Sequence, residues 1–113
     1  MGSEVKQFEA ELSNYFDCPT ACVSSGTAAL HLALQALELG PGDEVLVQTL
    51  TFISPINAIR QNYLSPIFMD VDRNFNIDQD KVIKFIENNT YFKNGKTINK
   101  ITTSLLGKEL KLG

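Results

Sequence analysis

The stretch Thr20-Ala21-Cys22-Val23-Ser24-Ser25-Gly26-Thr27-Ala28-Ala29-Leu30-His31-Leu32-Ala33-Leu34, followed by Gly40-Pro41-Gly42-Asp43-Glu44-Val45-Leu46-Val47-Gln48, decides the fold. Thr20 to Ser24 is a short segment that leans to β structure. From Ala28 to Leu39 strong helix formers follow one another and are apolar nearly all round. A helix of that kind is expected to be buried on more than one side. Gly40 stops it, Pro41-Gly42-Asp43 is a turn, and Glu44 to Gln48 reads as a short buried strand.

Outward from this unit the same alternation continues. Upstream, Val5, Phe8, Leu12, Tyr15 and Phe16 recur at helical spacing, with Ser3 as the expected N-cap and Pro19 as the stop. Downstream, Ser54-Pro55 predicts an N-cap with proline at the first helical position, and Ile56, Ile59 and Tyr63 mark the inner face. Pro66 to Asp70 reads as a third strand. Asp78 is the expected cap of a helix whose inner face is Val82, Phe85 and Ile86. Residues 88–100 are expected to be a polar loop with a hairpin-like Asn94-Gly95. Strands alternating with helices predict an α/β protein, a partial three-layer αβα arrangement over a parallel sheet. Three strands leave two bare edges, so the pattern looks like part of a larger sheet.

Composition narrows the function classes. The 113 residues suit one small domain or a piece of a larger one, and with 43% apolar and 20% charged residues the chain reads as soluble and globular. Its net charge of −3 and scattered lysines argue against a nucleic-acid groove or an anionic membrane surface. Met1-Gly2-Ser3-Glu4 begins no apolar signal region, and Ala28 to Leu39 is too short to span a bilayer, so a cytoplasmic protein is expected. Cys18 and Cys22 are expected to be reduced structural thiols, and with His31 the only histidine a zinc site lacks ligands.

Two segments lie where parallel sheets bind ligands, beyond the carboxyl ends of strands. In Ser24-Ser25-Gly26-Thr27-Ala28 a glycine permits close backbone approach, the helix start offers unpaired N–H groups, and Thr27 adds a hydroxyl. That combination suits a phosphate, and it equally suits an ordinary Ser/Thr cap after a tight turn. The spacing is not that of a Walker loop. In Thr49-Leu50-Thr51-Phe52 the phenylalanine could lie flat against an aromatic ligand or sit in the core. Asp70 and Asp72 read as turn formers rather than a catalytic pair, His31 as a packed or interface histidine, and no Ser/His/Asp set assembles.

These blocks, in register with Gly40-Pro41-Gly42-Asp43-Glu44-Val45, Leu50-Thr51-Phe52, Asn57-Ala58-Ile59 and Asp70-Val71-Asp72, resemble the DegT-type sugar aminotransferases over about residues 4 to 100. Those are fold-type-I enzymes dependent on pyridoxal phosphate. The resemblance implies that residues 1–100 are an N-terminal segment of that large domain. It implies that Gly26, Thr27 and Ala28 hold the cofactor phosphate and that Phe52 stacks on the pyridine ring. It further implies a homodimer that transfers an amino group, usually from glutamate, to a nucleotide-linked keto sugar. Thr51 to Ile59 and Asn89 to Gly95 look most like the branch serving legionaminic-type sugars.

None of the lysines stands in the family's context for the Schiff-base lysine, and no catalytic residue is assigned. Residues 101–113 do not match the family's continuation, and a premature stop or frameshift near 101 is one hypothesis for it. The chain is then expected to be inactive alone and marginally stable. Two rivals stand beside it. One is a non-catalytic module that docks on a full-length subunit, and the other is a free-standing phosphate or nucleotide binder.

Overall fold

The computed structural model describes residues 2–101. The elements run α1 (Ser3–Phe16), α2 (Gly26–Ala36), β1 (Glu44–Gln48), α3 (Ile53–Gln61), β2 (Ser65–Met69), α4 (Gln79–Asn89), β3 (Thr90–Lys93) and β4 (Lys96–Asn99). The tail predicted from residue 101 lies, past Ile101 itself, outside the described residues.

At the centre is a βαβ unit. β1 and β2 pair in parallel from Glu44 opposite Ser65 to Gln48 opposite Met69, with α3 as the crossover. The sheet has two strands here rather than three. Thr20 to Ser24 is not a strand, because its backbone is tied to α1 instead. The Thr20 N–H donates to Ser13 Oγ at 3.0 Å and the Cys22 N–H to Glu9 Oε1 at 3.3 Å. The strand Pro66 to Asp70 is displaced by one residue, to Ser65–Met69. Its proline has no N–H to give, which suits a strand with an open edge.

The turn into β1 follows its residues closely. Pro41 is second and Gly42, at φ 83°, third in a turn closed by Asp43 N–H to Gly40 O at 3.0 Å. A type II turn needs that positive φ, and glycine adopts it without strain. The Asp43 carboxylate also accepts the Gly40 N–H at 2.7 Å.

The core is small. Val47, Ile59 and Leu64 are buried together, with Leu34, Leu39, Val45 and Ile56 packed around them. Tyr63 does not extend the inner face of α3. The helix ends before it, its φ is 61°, and its ring is 78% exposed, while Leu64 takes the core position. The all-round apolar helix starts at Gly26 rather than Ala28, and none of its residues is buried. Leu30 and Leu32 within it and Leu37 at its C-cap are 42%, 49% and 51% exposed. α1 likewise begins at Ser3 itself, with Gly2 as its N-cap, and has no buried residue.

Residues 90–99 are not a loop. They form an antiparallel hairpin, turned by Asn94 at φ 52° and Gly95 at φ 77°. Two successive positive φ values match the right-handed twist of the flanking strands, which is why Asn-Gly is favoured there. The hairpin is joined to the body at the start of β1, where Asn99 Nδ2 donates to the buried Glu44 carboxylate at 3.1 Å. Asp78 caps α4 by accepting the Lys81 N–H at 3.2 Å. No helix among the described residues is long and apolar enough to cross a membrane.

Candidate functional site

The starts of α2 and α3 open on one cleft of about 690 Å³. Gly26, Thr27, Phe52 and Ser54 are among its lining residues. A helix start leaves its first N–H groups without intrahelical acceptors and carries the positive end of the dipole. In α2 the N-cap Ser25 accepts the Ala28 N–H through its Oγ at 3.1 Å, and the Ala29 N–H goes to Ser25 O at 3.0 Å. The cap therefore occupies Ala28, which is not among the cleft-lining residues, while Gly26 and Thr27 line the cleft at the helix start, where N–H groups have no intrahelical acceptor.

Gly26 has no structural reason of its own to be glycine. Its φ is not positive, and a Cβ placed there would meet nothing within 4 Å. What glycine leaves at this position is open space above the backbone.

Thr27 Oγ1 donates to Ser54 Oγ at 3.0 Å, joining the two helix starts. Ser54 is not the N-cap of α3. Phe52 is, and it makes no side-chain cap bond, so that Pro55 stands third rather than first in the helix. Proline is tolerated throughout the first turn because no N–H partner is needed there, so the Ser-Pro signal permits this shift. The Phe52 ring is 88% exposed, the largest exposure among the apolar side chains at the cleft. An aromatic ring left in water at a cleft is a surface for a flat apolar partner.

The other candidates lie elsewhere. Asp72 Oδ1 accepts the N–H groups of Asn74 and Asn76 at 2.8 and 3.1 Å, so it shapes a turn. Asp70 pairs with Lys81 at 2.6 Å on the surface, at the edge of a separate cleft between β2 and α4. His31 Nδ1 is buried without a hydrogen-bond partner, and its carbonyl accepts from Asn62 Nδ2 at 3.3 Å. Both cysteines are free, and no cluster among the described residues could hold a metal ion. Sequence reasoning missed Ser54 and Asn62 as ties between α2 and α3. Their partners lie 27 and 31 residues away, beyond the reach of any local signal.

Comparison with known proteins gives this cleft a context. The spore coat polysaccharide biosynthesis protein SpsC of Bacillus subtilis is 46% identical over 83 residues, covering 72% of this chain and 21% of that protein. The dTDP-4-dehydro-2,3,6-trideoxy-D-glucose 4-aminotransferase of Saccharopolyspora spinosa is 39% identical over 90 residues, covering 76% and 23%. Among solved structures, Spr1654 of Streptococcus pneumoniae in its pyridoxal-phosphate (PLP) form superposes with a TM-score of 0.68 at 37% identity, covering 74% of this chain and 22% of that one. The chain thus spans about a fifth of the length of the curated relatives it matches. The shared fold is a piece of the fold-type-I PLP aminotransferase domain. A profile of the DegT/DnrJ/EryC1/StrS aminotransferase family matches residues 1–110, and the chain belongs to that family.

Proposed function

We propose that this chain is the cofactor-phosphate-holding part of a PLP-dependent aminotransferase, one that moves an amino group from glutamate to a nucleotide-linked keto sugar. The observation that carries the proposal is the cleft on which Gly26, Thr27 and Phe52 converge. The donor set fits the group. The helix-start N–H groups of Gly26 and Thr27 suit a phosphate dianion, and the open space above Gly26 admits it close to the backbone. Ala28 is the third residue of the cradle, closing the turn by its bond to Ser25. Phe52 stacks against the pyridine ring from its exposed position. When bound, pyridoxal phosphate supplies the electron sink for moving an amino group.

The chain alone is proposed not to turn over substrate. No lysine is among the residues that line the cleft, and the full enzyme is proposed to be a cytoplasmic homodimer. The test is absorbance of the purified chain mixed with pyridoxal phosphate, before and after borohydride reduction. The expected result is an unchanged free-aldehyde spectrum and no single labelled lysine. One stoichiometric, borohydride-fixed lysine would mark the chain as an enzyme in its own right.

A second reading is favoured by the exposed leucines of α2 and by an apolar groove of about 200 Å³ between α2, β1 and α3. In it, the chain is a non-catalytic module that docks on a full-length family member. Size-exclusion chromatography with and without such a protein separates the two readings. A co-eluting complex supports docking, and independent elution excludes it.

A further inference from the structure

The Thr27 hydroxyl is held by a residue that the motif does not contain. It donates to Ser54 Oγ at 3.0 Å in a part-buried bond between the first turns of two helices. A threonine in a helix has more than one rotamer open to it, including one that turns the hydroxyl back onto the helix's own backbone. Ser54 selects the rotamer that keeps the hydroxyl at the cleft, since both residues line it. The serine is itself well placed to do so. It is half-buried, second in α3, and followed by Pro55, whose ring fixes the backbone φ.

Each hydroxyl has one proton to donate and lone pairs to accept. Within the pair, one proton is spent on the bond between the two oxygens. The other remains for an acceptor in the cleft, whichever way the bond runs. A phosphate ester in its dianionic form offers only acceptors, so the pair presents it with one aimed donor.

We infer that Ser54 is a positioning residue of the phosphate cradle, pairing with Thr27 so that one hydroxyl of the pair donates to a bound phosphate ester, and coupling the starts of α2 and α3. This rests on the phosphate site proposed above. The full chain is titrated with pyridoxine phosphate and, separately, with pyridoxine. Neither has an aldehyde, so neither labels lysines. Binding is followed by the amide signals of Gly26 and Thr27 in NMR spectra. The unaltered chain is expected to bind the ester more tightly than pyridoxine. Ser54→Ala should weaken ester binding about five-fold, the worth of one hydrogen bond, and leave pyridoxine binding unchanged. Ser54→Thr should restore the ester, and in a Thr27→Val background Ser54→Ala should add nothing. Ester binding by Ser54→Ala at full strength, or an equal loss for pyridoxine, overturns the inference and leaves the phosphate site standing. An unaltered chain that does not distinguish ester from pyridoxine overturns both.

Discussion

Helices α2 and α3 start at the same cleft and lie side by side, yet the more apolar of them is the less buried. α2 has no buried residue, while α3 buries Ala58 and Ile59, the latter at 3% exposure. Their connections explain the contrast. α3 is strung between two paired strands, four residues after β1 and three before β2, so it has nowhere to lie except against the sheet. α2 reaches β1 through a seven-residue link, packs Leu34 against the core, and leaves Leu30 and Leu32 about half exposed. Composition states how much surface a helix could bury. The neighbours available to it decide how much it does bury.

The comparison is broken most directly at Ile59. Ile59→Ala should cost about 2–5 kcal/mol in urea unfolding, since it empties a position packed with Val47 and Leu64. A loss no larger than that at an exposed α2 leucine would show that α3 does not anchor the core. Next comes the tie between the two helices. Asn62 Nδ2 donates to Ala58 O at 2.8 Å within α3 and to His31 O at 3.3 Å in α2. Asn62→Ala should cost about 1 kcal/mol and speed amide exchange in α2 more than in α3.

Leu32→Ala sharpens the contrast from the other side. At 49% exposure the leucine should be worth no more than about 0.5 kcal/mol, whatever the protein concentration. A larger loss that grows with concentration would reveal a partner over α2. The smallest effect is expected outside both helices, at the exposed pair of Lys81 and Asp70. The hydrogen bond that Lys81 donates to Asp70 first, and the charge of Asp70 second, raise the Lys81 pKa above the ordinary lysine value. A raised folded pKa means that the contribution is complete below the unfolded value and fades as pH climbs through the folded one. Both groups lie in solvent, which screens them. Asp70→Asn should therefore shift the unfolding midpoint at neutral pH only slightly, and that small difference should vanish as pH climbs through the lysine range.

What was legible in the sequence was local. The Gly40 to Asp43 turn, the Asp78 cap and the strand Glu44 to Gln48 each depend on residues within a few positions of one another, and each forms as its residues dictate. Gly26, Thr27 and Phe52 were legible as a group because the motif carries them in order, and the fold brings them to one cleft. What failed was non-local or one step too long. Thr20 to Ser24 has β-leaning side chains, but a strand needs a partner, and α1 side chains take its N–H groups. The apolar period of α3 was carried past Gln61 to Tyr63, where a left-handed residue ends it and hands the core to Leu64. Residues 90–99 looked like a loop because neither strand alternates apolar with polar residues, and the two buried positions, Thr90 and Asn99, are polar and paired opposite one another. Ser54 read as a cap because nothing nearby announces Thr27.

The hairpin has a practical meaning. It is fastened at Glu44, the first residue of β1, whereas the cleft lies beyond the last, roughly 13 Å further along a strand of that length. Its Asn94-Gly95 tip is exposed and already bent by positive φ. Exposed tips of that kind are where inserted peptides are tolerated. The tip is thus a graft point. A fluorophore or an immobilising tag spliced there gives the chain a handle anchored at the opposite end of β1 from the place where a ligand would enter.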